Sequence, residues 1–524
     1  MKTIKVLVFL LLMAIGCKEK KVIGKASESI AKRPNVLILY PDQLRRYSAG
    51  FWSHGNYKNH VLGTPDPVVT PNMDKLAKNG VVFTRAVSNF PLCSPARGML
   101  LSGMYPEQNG IWNNCRKDRE ESLHDDIPII TDLFFKAGYN TSYFGKCHWL
   151  KNEPLFTKDS TYVGKTEAPG GYYMNRYDTY VPPGKSRHNI EYFYQSIRDE
   201  HYNPQVYSND PNAIMGKKDG ELHQPKIFSP KNESEKIISY LNNNNNVRDT
   251  GKPFFMMWSI NPPHNPWDDE NTDMATLNKF YGSDKYPKLD SLVVRENTDL
   301  KTAHYARHYF ANVTSVDHYI GLVLDELKKM GELENTIVIL SADHGEMMGS
   351  HGLTGKNIFE TESLGIPFIV YWPKKLKGGT INDALFSVPD VLPTIMGLAG
   401  LKEEIPAEVE GLDFSKSLSI TSGETINRPE GVLLMLANAR GILTERYTLC
   451  LKQNENAKNK LEQTVPQEAY IYDNLNDPYQ LTRLPLEDRP NIAKQLLELL
   501  GAELKRTNDP WYQQKKYGDL IVYL

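Results

Sequence analysis

This 524-residue chain has no apolar stretch long enough to cross a bilayer, because the run Val6–Ile15 falls well short of the roughly 20 residues a spanning helix needs. Cysteine is scarce: five in so long a chain cannot form the disulfide framework of a stapled secreted scaffold. Charge of one sign is missing too. With 61 basic against 63 acidic side chains the net charge is -2, which argues against nucleic acid as a partner. Low-complexity sequence is confined to Asn242–Asn246, which reads as a solvated helix terminus or loop. What is present is ordinary for a globular protein, 40% hydrophobic and 24% charged, at a length that predicts two packed domains.

At the start, Lys2 and Lys5 precede the apolar run, which stops at Gly16 and Cys17, a signal-peptide pattern. Ala14-Ile15-Gly16-Cys17 resembles the lipobox of bacterial lipoproteins. The resemblance implies that residues 1–17 are a signal peptide and that Cys17 becomes the lipidated N-terminus, so a lipid anchor would be the only membrane contact. Lys18 follows instead of an Asp, so inner-membrane retention is not indicated. The expected location is the cell envelope, on the outer membrane, facing the periplasm or the cell surface. Residues 18–32 are polar and lack aromatics, as suits a tether.

The body begins with Val36–Tyr40, a continuous apolar run of strand length, as expected of a strand covered on both faces in a mainly parallel sheet. The pattern recurs at Pro253–Ile260 and Thr336–Ser341. Each run is followed by polar groups: Asp42, then Asn261 and His264, then Asp343 and His344. In open α/β sheets chemistry collects at the carboxyl ends of strands. Apolar residues at helical spacing predict helices over Asn72–Asn79, Ile130–Ala137 and Phe310–Lys329. The fold class is therefore a doubly wound α/β domain over 33–405. A long Tyr-, His- and Arg-rich excursion is expected over Gly164–Gln224. Beyond Pro406, strand-like segments at Gly431–Ala437, Arg440–Lys452 and Glu468–Tyr472 and a periodic helix over Ile492–Leu504 predict a smaller α+β subdomain over 406–524, containing an antiparallel sheet.

The segment Pro91-Leu92-Cys93-Ser94-Pro95-Ala96-Arg97-Gly98-Met99-Leu100-Leu101-Ser102-Gly103 resembles the type I sulfatase signature, whose core is Cys-x-Pro-x-Arg. The resemblance implies that a formylglycine-generating or anaerobic sulfatase-maturating enzyme oxidises Cys93 to formylglycine (3-oxoalanine) in the unfolded chain. One hydroxyl of the hydrated aldehyde would attack sulfur and the other would later expel sulfate. Arg97, one helical turn on, would hold that group and the metal site in place. Read alone, Cys93 is a buried structural cysteine before a helix starting near Pro95, and Ser102 stands where the family prefers Thr, Ala or Arg. If Cys17 and Cys93 are both modified, Cys115, Cys147 and Cys450 allow at most one internal disulfide, with no pairing indicated.

A second segment, Gly138-Tyr139-Asn140-Thr141-Ser142-Tyr143-Phe144-Gly145-Lys146-Cys147-His148, resembles the family's second signature, with Phe144 and Cys147 departing from the usual residues. It implies Lys146 as a sulfate clamp and His148 as a partner of the formylglycine. Arg33 to Gln43 and Ser341–Glu346 are similar to the family's metal-binding segments. Asp42, Asp343, His344 and the modified Cys93 would surround one divalent ion, with calcium favoured by the oxygen-rich set and magnesium or manganese as alternatives. Gln43 replaces a second Asp and, with Asn114, is a weaker candidate. A single Asp at a strand end is more often a helix cap. His264 and Lys356 match positions on the leaving-group side, where a sugar alkoxide needs a general acid, assigned to His264; His351 is read as structural. The resemblance runs from Arg33 through Ala469–Pro478 and implies an alkaline-phosphatase-like fold.

The nearest alternative is a formylglycine-dependent phosphonate monoester or phosphodiester hydrolase, from which Lys146 and His148 separate this chain. An inactive glycan-binding lipoprotein is the other, disfavoured because every expected catalytic position is filled. Tyr172, Tyr173, Arg176, Tyr177, Tyr180, Arg187, His188, Tyr192 and Tyr194 suggest an aromatic and cationic platform for sugar rings, or else a Tyr-rich surface excursion. The expected substrate is a sulfated polysaccharide or its oligosaccharides.

Overall fold

Five consecutive apolar side chains need cover on both faces, and Asn35–Leu39 (β1) has it, every residue being buried. In the computed structural model, which describes residues 33–116, 119–151, 178–197, 200–285, 305–418, 429–453 and 466–513, β1 lies at the centre of a nine-stranded sheet. The other strands are β2 (Val81–Val87), β3 (Asn140–Gly145), β4 (Tyr192–Ser196), β5 (Val206–Ser208), β6 (Phe254–Ser259), β7 (Thr336–Leu340), β8 (Ile369–Tyr371) and β9 (Thr380–Ser387). They pair in the order β5-β4-β3-β6-β1-β7-β8-β2-β9. The central run β4-β3-β6-β1-β7 is parallel throughout, and antiparallel pairs occur at β4-β5, β7-β8 and β8-β2.

Because β3, β6, β1 and β7 are parallel neighbours, their carboxyl ends open on one edge of the sheet. The backbone beyond those ends stays locked: Asp42 N–H donates to Ile260 O (2.8 Å), Lys146 N–H to Ser259 O (2.8 Å) and Ser341 N–H to Leu39 O (3.1 Å). The polar groups that follow the strands are thus fixed by backbone bonds that run one to three residues past the regular strand.

The predicted helices form with small shifts, as α1 (Pro71–Asn79), α3 (Ile130–Lys136) and α5 (Ala306–Lys329). Between them lie α2 (Cys93–Ser102) and α4 (Ser229–Leu241), the latter ending where the asparagine run begins, with Asn243, Asn245 and Asn246 at positive φ. The expected excursion over 164–224 is corrected in its described part: β4 and β5 fall inside it and extend the sheet, since the buried Tyr192-Phe193-Tyr194 stretch pairs along β3. Residues 164–177 of that excursion lie outside the described residues, as do the signal peptide, Cys17 and the tether.

The C-terminal segment forms an antiparallel meander of β10 (Val432–Leu436), β11 (Ala439–Leu443), β12 (Tyr447–Gln453), β13 (Pro466–Asp473) and β14 (Leu484–Pro485). Helix α6 (Pro490–Arg506) buries Ala493, Leu496, Leu497, Leu500 and Leu504 at helical spacing. Among the described residues no helix is long and apolar enough to cross a membrane. Cys93, Cys115, Cys147 and Cys450 are all buried free thiols, so no bridge joins them.

Candidate active site

Helix α2 starts at Cys93, two residues earlier than Pro95 suggested, and all ten of its residues are buried. Asn114 stabilises this start: its Oδ1 accepts the Ser94 N–H (3.1 Å), while Ser94 Oγ accepts the Cys115 N–H (3.0 Å). Cys93 therefore sits at a fixed, electropositive helix end. Its Sγ lies 3.2 Å from His344 Nε2. Burial and Asp42 push the thiol pKa up, but Lys146, Lys356 and His344 pull it down to about 7.

One potential ligand atom from each of Asp42, Cys93, Asp343 and His344 lies within 4.8 Å of the others, and all four residues are buried. His344 Nδ1 is 2.9 Å from Gly345 O, which can only accept, so Nδ1 carries the proton and the Nε2 lone pair faces the cluster. Burial opposes protonation of His344, but Asp343 and Cys93 outweigh it and raise its pKa. Asp42 Oδ1 is buried without a hydrogen-bond partner among the described residues. That orphaned oxygen, two carboxylates and an imidazole fit a hard divalent cation.

Two cations brace the carboxylates from the other side. Arg97 Nη2 donates to Asp42 Oδ2 (2.9 Å) and Asp343 Oδ2 (3.2 Å), and its Nη1 to Ser259 Oγ (2.6 Å) and Lys146 O (3.2 Å). Lys146 Nζ donates to Asp42 Oδ2. Burial alone would raise the Asp42 pKa, yet Lys146, His264, Arg97 and His344 together hold it well below the carboxylate range. Glycine on either side of these groups is required by space. A Cβ on Gly145, at φ +93°, would meet Ser259 O at 2.0 Å, and one on Gly345 would meet Glu362 O at 1.9 Å. His148, two residues after Lys146, is buried with φ +55°.

On the third side, His264 Nε2 is 3.1 Å from Lys356 Nζ, and its Nδ1 is 2.8 Å from Asn265 O. The carbonyl fixes the proton on Nδ1, so Nε2 accepts from the lysine. Lys356 also donates to Gln43 Oε1, while Gln43 Nε2 donates to Glu346 and its backbone N–H to Asp343 Oδ1 (2.9 Å).

The sulfatase family model matches residues 34–401. The chain belongs to the sulfatase family. It is a sulfuric ester hydrolase, 39% identical to an endo-4-O-sulfatase of Bacteroides thetaiotaomicron over 98% of this chain and 99% of that protein. It is also 29% identical to an ulvan-active sulfatase of Formosa agariphila over 96% of this chain and 88% of that protein. A solved B. thetaiotaomicron structure associated with glycosaminoglycan metabolism superposes with a TM-score of 0.84 at 39% identity, covering 94% of this chain and 100% of that one. A phosphonate monoester hydrolase of Agrobacterium radiobacter shares the fold alone, at a TM-score of 0.61 and 18% identity.

The structure of this sulfatase gathers Asp42, Cys93, Arg97, Lys146, Asp343 and His344 into one cluster, with Gln43, His264 and Lys356 beside it. Asn114 is a support of α2. The sugar-binding platform is corrected where it is described: Tyr180, Arg187, His188, Tyr192 and Tyr194 are 0–5% exposed. Arg187 pairs with Asp219 (2.6 Å) and stacks over Phe193, so it is a core cation. Tyr172, Tyr173, Arg176 and Tyr177 lie outside the described residues. Sequence reading passed over two contributors. Ser259 terminates β6 against Arg97, and Glu346 orients the Gln43 amide while accepting from Tyr305 (2.6 Å) and the Gly355 N–H (2.8 Å). Glu346 stands three residues after Asp343, and that adjacency was the available signal.

Proposed function

We propose that this sulfatase removes sulfate from a sulfated polysaccharide or its oligosaccharides, of the glycosaminoglycan class, with formylglycine at position 93 as nucleophile. The observation that carries this reading is the buried Asp42–Cys93–Asp343–His344 cluster braced by Arg97 and Lys146, in a chain that aligns end to end with an endo-4-O-sulfatase. Asp42, Asp343 and His344 would hold one divalent ion, with calcium favoured by the oxygen donors. When bound, that ion lowers the pKa of the nucleophilic hydroxyl and neutralises charge on the sulfate.

The chain's own groups do the rest. Arg97 keeps both carboxylates in place and helps hold Asp42 below the carboxylate range. Lys146 presents a fixed positive charge to the sulfate oxygens, and His148, buried two residues on, serves as a partner of the formylglycine. Lys356 hands His264 Nε2 a proton across the 3.1 Å contact, and His264 delivers it to the departing sugar oxygen. A sulfatase-maturating enzyme supplies the modification, and Cys17 anchors the protein by lipid to the cell envelope. Peptide mass spectrometry of protein from its own host, with desulfation of defined sulfated oligosaccharides, tests the reading. Formylglycine at position 93 and turnover of a sulfated glycan are expected. An unmodified Cys93 thiol, or a large preference for an aryl phosphonate over an aryl sulfate, overturns it.

A further inference from the structure

Strands β2 and β9, the C-terminal meander and the segments 46–62 and 361–365 line a partly open cavity of about 170 Å³ whose wall includes Arg46, Thr84, Arg85, Glu445 and Thr448. It shares no residue with the catalytic cluster. Arg46 and Thr84 are only 6% and 3% exposed. Buried arginines elsewhere in the described residues have carboxylate partners: Arg45 with Asp66, Arg97 with Asp42 and Asp343, Arg187 with Asp219, Arg248 with Glu332, Arg440 with Asp509. Arg46 forms no ion pair among the described residues. Its Nη2 donates to Ala86 O (2.6 Å), and its Nε is buried with no acceptor. Thr84 Oγ1 is likewise buried without a partner. A buried guanidinium without an ion-pair partner is costly, and so is an unpaired buried hydroxyl on the wall of the same cavity.

We propose that this cavity is a second anion site, taking a small tetrahedral oxyanion of the sulfate class between the Arg46 guanidinium and the Thr84 hydroxyl. The volume lies below the roughly 300 Å³ at which pockets for drug-sized ligands begin, so the occupant is an ion or one terminal sulfate group. Arg85, on the same wall, donates to Glu445 (2.8 Å), whose side chain is 71% exposed. Glu445 thus draws away a second cation that the anion would otherwise share.

The test is anomalous diffraction from crystals of the full chain soaked in selenate, an isostere of sulfate, alongside calorimetric titration with sodium sulfate. A selenium peak between Arg46 and Thr84, separate from any peak at Cys93, is expected. Arg46→Gln should abolish that peak and weaken sulfate binding at this site about tenfold or more, as loss of a charge-assisted pair implies. Thr84→Val, nearly isosteric, should weaken it with near-UV circular dichroism unchanged, which keeps the test valid if Arg46→Gln misfolds. Glu445→Gln should tighten binding roughly two- to fivefold by releasing Arg85. A parallel soak with a sulfated monosaccharide identifies the source: sugar density at Arg46 means a glycan sulfate, and its absence beside a selenate peak means the free ion. No peak at Arg46, or a peak that persists in Arg46→Gln, overturns the proposal.

Discussion

Replacing Arg97 by Met takes a charge from between two carboxylates while keeping side-chain length. Arg97 is 1% exposed and donates to Asp42, Asp343, Ser259 and Lys146 O. Removing one partner from a buried charge pair costs about 3–5 kcal/mol, because water cannot replace the lost counter-ion; Asp42 would keep Lys146, and the loss falls mainly on Asp343. Against a typical total stability of about 5–15 kcal/mol this is a large fraction. The bare carboxylates also become better cation ligands, since no guanidinium competes for their outer oxygens. Urea unfolding followed by tryptophan fluorescence, in chelator and in calcium, measures both effects. In chelator, Arg97→Met should lose about 3–5 kcal/mol. Calcium at a hundredfold excess over its dissociation constant adds about 2.7 kcal/mol to any protein that binds it only when folded. At one fixed calcium concentration the variant should gain more than the parent, because its site binds more tightly. A loss below about 1 kcal/mol in chelator, or a calcium gain no greater than the parent's, refutes the reasoning.

Lys146→Ala should lower kcat/KM by about 10²–10³, the scale of losing one preorganised donor, measured on an aryl sulfate; a change under tenfold counts against the sulfate clamp. Gly145→Ala should abolish activity or folding, since its Cβ would lie 2.0 Å from Ser259 O at φ +93°, and normal turnover would show that the turn is looser than described. Glu233, buried in α4 against Ser196 and Trp258, has its pKa raised by burial from 4.5 to about 7. The folded chain therefore holds a proton that the unfolded chain releases, so this contribution is fully present below pH 4.5 and is lost as pH rises to about 7. Glu233→Gln, which can still accept from Trp258 and donate to Ser196, should raise stability at pH 8 by about 3 kcal/mol and leave pH 4 unchanged, as chemical denaturation would read. Cys115, Cys147 and Cys450 are buried thiols with pKa values pushed up by burial, that of Cys450 to about 12, so iodoacetamide should label none of them in the native protein.

Three of the four strands that build the site were legible because a strand buried on both faces needs an unbroken apolar run, as in β1, β6 and β7; β3 was not, since Asn140-Thr141-Ser142 opens it with polar residues. Strands β2, β8 and β9 were not, since β8 has three residues and β9 mixes polar and apolar positions along Thr380–Ser387. Asp42, Asp343 and His344 could be read because each directly follows such a run. Ser259 and Glu346 could not: they act through hydrogen bonds to Arg97 and Gln43, 162 and 303 positions away in the chain. The tyrosines misled for a different reason. A tyrosine suits a sugar-binding surface and a core equally well, provided its hydroxyl is satisfied. Here Tyr180 bonds Asp219 (2.9 Å), Tyr192 bonds Asp210 (3.1 Å) and Tyr194 bonds Asn232 (2.7 Å), and those partners were invisible in the sequence.

The distance along the chain between Cys93 and His344 also sets a clock. Cys93 Sγ touches an imidazole 251 residues further on, and its side chain is fully enclosed once that contact forms. During synthesis at about 5–20 residues per second, the sulfur leaves the ribosome roughly 10–50 s before the strand that will seal it. Any agent that alters this atom must act on a chain that has not yet closed, and the order of segments in the gene gives it that interval on every molecule made.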